Sequence, residues 1–274
     1  MGFLPYICAG ALLGAVYVFP QAAAEAARQG LEVWAGSVVP GLGVGMVLAM
    51  YLCGRMQEKR ILQIAASVLC GSPGGARLMA AKEKRGREAL RDAALAGVMS
   101  PMFFLGAVAG WMGDKKGAAL VWVCHVLGAF LTAAFIPVNR NKVRKTDERL
   151  SFLQCVQQSV NALLTVGFLL MVGAVAAEMM QCAFPFIPEK WAACLHCMME
   201  VTGGVQALIE REGEHILAFV CGATSFGGIS ILMQNLLFWK ESGIQAWQLM
   251  LVQILHGGIS FVLCFFMENL LFIG

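Results

Sequence analysis

The sequence predicts an all-α polytopic membrane protein, with about seven transmembrane helices and two re-entrant or broken segments in an inverted-repeat, transporter-like arrangement. Three observations point there. Of 274 residues, 59% are hydrophobic and only 14% charged, and mean hydropathy is +0.72. Soluble domains carry about 25% charged residues, so this chain has too little polar surface to cover a water-facing core. Apolar runs of spanning length recur along the chain. Finally, small-residue breaks interrupt those runs at corresponding places in two halves. The first half has Gly-Ser-Pro-Gly-Gly at 71–75, Ser100-Pro101 and His125; the second has Thr202-Gly203-Gly204, Ser225-Phe226-Gly227-Gly228 and His256. Gly74 and Gly203 lie 129 residues apart, Ser100 and Ser225 125, and His125 and His256 131. Interrupted apolar segments at matching places in two halves mark a transporter's binding site.

Taken in order, spans are expected at about 3–20, 31–54, 92–113, 117–138, 155–182, 214–239 and 245–272, each near the roughly 20 apolar residues that a crossing needs. The first lacks the basic start of a signal peptide and reads as a retained helix, followed by a short loop to residue 30. Segments 61–81 and 188–210 are too short or broken to cross and read as re-entrant. Residues 31–138 then form a first repeat, 139–151 a basic connector, and 152–274 a second, inverted repeat.

Charge supports that path. Arg55, Lys59 and Arg60 fall in the loop 55–60, and Lys82, Lys84, Arg85, Arg87 and Arg91 in 82–91. Arg140, Lys142, Arg144, Lys145 and Arg149 fall in the connector. With 61–81 re-entrant, all three clusters share one face, which the positive-inside rule makes cytoplasmic. The other face receives Arg28, Lys115, Lys116, Lys190 and Arg211.

Backbone that breaks within a bilayer must be satisfied by protein, water or ligand. Ser72, Gly74 and Gly75 precede a restarted helix whose N–H groups suit an anion. Arg77, two residues into that helix, can grip a carboxylate bidentately, or instead snorkel to the headgroups. Ser100-Pro101 frees a carbonyl about one turn back. Ser225, Gly227 and Gly228 form the later break, which continues into Gln234 and Asn235; these amides can orient a polar ligand or bond helix to helix. Thr202, Gly203 and Gly204 mirror the first break, with Glu200 added as a group that can bind a coupling cation or pair with Arg77. His125 and His256 can carry a coupling proton, or be neutral imidazoles bonded between helices.

No enzyme signature is present: the chain lacks a Gly-x-Ser-x-Gly elbow, His-Glu-x-x-His and a Walker-type phosphate loop. The ten cysteines sit mostly within apolar runs and read as small hydrophobes. Cys194, His196 and Cys197 lack the partner pair of a metal site. Nothing calls for a cofactor, and the net charge of +3 is explained by the loops without nucleic acid.

At these residues the chain resembles the YlbJ-like sporulation integral membrane proteins, related to stage V sporulation proteins with nucleoside-recognition gate domains. The likeness covers about 31–268. It is carried by GLEVWAGSVVPGL (30–42), CGSPGGARLMA (70–80), SPMFFLGAV (100–108), MEVTGGVQAL (199–208), SFGGISILMQ (225–234) and QILHGGISF (253–261). The resemblance implies two gate-like repeats and a multi-pass carrier of a spore-forming bacterium, moving dipicolinate across the outer forespore membrane. Where the family usually has lysine after Gly-Ala this chain has Arg77, and Ser100 stands where Asn is usual. The expected partner is a small organic anion, with the bilayer and a coupling proton or cation. The alternatives are a nucleoside-type transporter and a non-transporting sporulation scaffold.

Overall fold

Residues 3–55, 60–72, 74–80, 86–138, 150–211 and 213–272 are described by the computed structural model, and every regular element among them is helical. The connector 139–149 and much of the loops 55–60 and 82–91 lie outside the described residues. Helix α1 (Leu4–Val18) is followed by α2 (Pro20–Val33), the two being bent by 108°. Pro20 opens α2 because a first-turn residue needs no N–H and its φ is already helical. The expected loop at 21–30 is therefore helix. Its buried side is Ala23, Ala26 and Gly30, while Arg28 pairs with Glu25 and Glu32 on the exposed side. A π-helical stretch, Trp34–Val38, leads into α3 (Val39–Arg55).

Two short helices, α4 (Arg60–Cys70) and α5 (Gly74–Ala80), follow. Next, α6 (Arg87–Ala96) stops at Gly97, and the chain restarts after Ser100 through π-helical Phe103–Val108 into α7 (Ala109–Met112). Asp114 caps α8 (Lys115–Ala134) by accepting from Lys116 N–H at 2.9 Å. A capping box of Ser151 and Gln154 starts α9 (Phe152–Ala183). Two more short helices, α10 (Glu189–Met199) and α11 (Val201–Ile209), meet at Glu200. Gly227, at φ +77°, separates α12 (Ile216–Phe226) from α13 (Gly228–Trp239), and α14 (Ala246–Phe272) closes the chain.

Among the described residues four helices are long and apolar enough to cross a membrane: Lys115–Ala134, Phe152–Ala183, Ile216–Ser242 and Ala246–Leu271. A fifth crossing is available if the bent pair Tyr6–Val18 and Pro20–Val38 forms one span. The expected span at 92–113 is divided between α6 and the apolar helix Phe103–Met112, and the segment 31–54 holds the short apolar stretch Leu42–Leu52. Leu127, Phe130, Phe168, Ile254 and Phe266 are exposed on helix flanks. Such side chains fit a multi-pass protein whose solvent is lipid.

Two contacts organise the bundle. The helices α8, α12 and α14 pack through small residues: a Cβ on Gly128 would overlap the Ser260 hydroxyl, and one on Gly257 would lie 3.1 Å from Gly222 O. Second, α2 and α3 run antiparallel to α9. Gly30 touches Met171 and Ala174, Gly43 faces Leu163, and Tyr51 meets Phe152 edge-on with ring centroids 5.6 Å apart. Trp34 anchors this pair: its Nε1–H donates to Leu163 O at 2.8 Å, and its ring covers Gly167, where a Cβ would sit 2.8 Å from ring atoms. Gly167→Leu should therefore lower stability by about 1–3 kcal/mol through overpacking, whereas Gly10→Ala, with nothing within 4 Å, should be neutral. Thermal unfolding in detergent, followed by tryptophan fluorescence, separates the two.

Candidate functional site

In each half a pair of short helices rests its break on the break of a longer helix. Ser72 N–H donates to Val98 O at 2.6 Å, which occupies a carbonyl freed by the Ser100-Pro101 interruption. Gly71, at φ +71°, packs so closely that a Cβ would lie 2.6 Å from Ser100 Cα; only glycine fits both the torsion and the space. Ser100 caps the restarted helix, its Oγ accepting from Phe103 N–H at 3.3 Å. In the other half Gly228, at φ +74°, faces the carbonyls of Cys197 and Met198, at 2.7 and 3.1 Å from a Cβ.

Between these breaks lies a partly open cavity of about 60 Å³. Ser37, Ser72, Ser100, Glu200, Thr202 and Gln234 supply its polar lining, with Met99, Phe103 and Leu170 among the apolar walls. Ser72 Oγ and Gln234 Oε1 are buried without a hydrogen-bond partner in the protein. Buried polar atoms normally find one, so both are available to a ligand or water.

Glu200 does not pair with Arg77. Its Oε1 accepts from Thr202 N–H and its Oε2 from Gly203 N–H, both at 2.7 Å, so the carboxylate caps α11 and occupies the positive helix end itself. Arg77 lies outside the cavity lining, half-buried. Its Nε–H donates to Gln158 Oε1 at 3.3 Å, and its guanidinium carbon stands 6.0 Å from the Phe238 ring centroid. No Lys or Arg is among the lining residues. Gly74 and Gly75 pack against Met46 and Ser67, and Gly204 against the Cys197 backbone; they shape the breaks and leave the lining to others.

The histidines join the halves. Met99 N–H donates to His125 Nε2 at 2.8 Å, which leaves that nitrogen unprotonated. The proton therefore sits on Nδ1 and is donated to Ser225 Oγ at 2.7 Å. His256 Nε2–H donates to His125 O at 2.9 Å, and the rings are 4.7 Å apart. Ser225, Gly227 and His256 also line a second, smaller cavity.

Several lining residues escape the sequence reading. Ser37, Met99 and Phe103 enter the first cavity, and Gln253 the second. Gln253 had a signal: a polar residue inside an apolar run, three residues before His256. Ser37 had only its place after Gly36, which does not tell a packing serine from a lining one.

The chain matches no protein-family model, and comparison with curated proteins and with solved structures finds no match.

His125→Leu should strand the Met99 N–H and lower stability by about 1–3 kcal/mol. Ser225→Ala added to that variant should cost little more, because its donor has already gone. Thermal unfolding of wild type, both single variants and the double variant should give a coupling energy of about 1 kcal/mol.

Proposed function

We propose that this chain is an integral membrane carrier for a small polar organic molecule, working by alternating access between two inverted halves. The polar cavity at the meeting of the breaks carries that reading. Lining from Ser72 and Ser100 faces lining from Glu200, Thr202 and Gln234, so a solute bound there touches both halves. Rocking of one half against the other around a fixed site is how such repeats move a solute.

The element order supports the repeat. A long helical segment, a pair of short helices, a broken helix and an apolar helix occur as α3, α4–α5, α6–α7 and α8. They recur as α9, α10–α11, α12–α13 and α14. That correspondence supports a seven-span topology with two re-entrant pairs. Arg60 lies against Asp92 at 2.7 Å and Glu88 at 3.7 Å, so α4 and α6 begin side by side. That is what a re-entrant α4–α5 pair requires, and it supports one basic, cytoplasmic face. A bacterial membrane, the outer forespore membrane on the YlbJ-like reading, is the proposed location.

The cavity chemistry favours an uncharged polar substrate of nucleoside type. Hydroxyls and an amide line it, its one carboxylate is held by two N–H groups, and no cationic side chain offsets an added anion. The second reading is a dipicolinate-type dicarboxylate, favoured by Arg77 beside the first break and by the YlbJ-like resemblance. On the third, a scaffold would need neither the cavity nor its unpartnered atoms.

Uptake of labelled uridine and labelled dipicolinate into proteoliposomes tests these readings. Saturable uridine uptake, lost about tenfold or more in Gln234→Leu and kept in Arg77→Gln, is the expected result. Dipicolinate uptake abolished by Arg77→Gln would replace the nucleoside reading with the anion one. Folded protein that moves neither would remove both substrates.

A further inference from the structure

Across Ile231 from the solute cavity lies the second one, of about 20 Å³, enough for one water-sized group. Two helix ends converge on it. Ala93, Ala94 and Gly97 bring the C-terminus of α6, and Thr224, Ser225 and Gly227 bring that of α12. The last carbonyls of a helix lack intrahelical partners and carry partial negative charge. Asn235 and Gln253 complete the wall from α13 and α14, and they are only 5% and 7% exposed. Asn235 Oδ1 and both amide atoms of Gln253 have no partner in the protein.

Unpartnered amides this deeply buried are costly unless something fills the space between them. No Asp, Glu, Lys or Arg lines the cavity, and its one titratable side chain, His256, already spends Nε2–H on His125 O. Neutral oxygens facing two negative helix ends suit a cation. The lack of carboxylates disfavours a divalent ion, which draws on them. The geometry points to a sodium ion bound here by Asn235 Oδ1, Gln253 Oε1 and last-turn carbonyls of α6 and α12. Half-helix C-termini and unwound carbonyls are suitable ligands for such ions. The unpaired Gln253 Nε2–H then donates to a water of the ion's shell.

A bound ion would tie α6 of the first half to α12, α13 and α14 of the second. It therefore rests on the carrier reading for its role in transport, although not for its existence. Its test needs no substrate. Thermal unfolding of the purified full chain is followed in detergent while NaCl replaces choline chloride at constant ionic strength. The site predicts a saturable rise of about 3 °C or more with sodium and none with choline. Gln253→Met and Asn235→Leu should each abolish that rise. Equal melting in sodium and choline would overturn the proposal, as would a sodium response that survives in both variants. Either failure would leave the solute cavity and its uptake assay untouched.

Discussion

The bridge that His125 makes between Met99 N–H and Ser225 Oγ is the constraint on which the rest of the arrangement depends. It holds the interruption of one half against that of the other, and a single imidazole satisfies a backbone donor that the break in α6 exposes. A broken helix within lipid is tolerable only when its freed groups find partners in protein, water or ligand. Here Met99 N–H goes to His125 and Val98 O to Ser72. His256 extends the chain of contacts by donating to the backbone oxygen of His125 itself. The two breaks are thereby kept at a fixed separation, and the polar cavity is the space they leave.

Glycine makes the remaining contacts close enough to matter. Gly71, in the short pair of the first half, and Gly228, in the broken helix of the second, each have positive φ and each press on the backbone of the neighbouring break. Gly128 and Gly257 bring α8, α12 and α14 within reach of the histidine bonds. Small residues act here as spacers of minimal thickness, and hydroxyls and amides supply direction.

Much of this was legible in the chain. Hydropathy located α8, α9, α12–α13 and α14, because a helix surrounded by lipid is apolar on all sides. Glycine and proline located the breaks at 71–75, 100–101 and 227, because those residues act on backbone torsion locally. The two histidines stood out as titratable groups in apolar runs. Other features were hidden because they are tertiary. Segment 21–30 looks like a polar loop, yet its Ala23, Ala26 and Gly30 find a groove on α9. Glu200 reads as a free acid until α11 turns its first N–H groups back onto it. Arg77 shares a helix with the first break, but the presence of Gln158 and Phe238 directs its guanidinium away from the cavity.

At 1.5 Å per residue, the 32 residues of α9 rise about 48 Å, against a hydrocarbon thickness of about 30 Å. Such hydrophobic mismatch is met by tilt or by projection. The ion-paired face of α2, with Glu25, Arg28 and Glu32, runs along the C-terminal part of α9, where Gly30 already touches Met171 and Ala174. The excess length of α9 is therefore taken up by its tilt or by the projection of its ends, and the charged groups of α2 turn away from it.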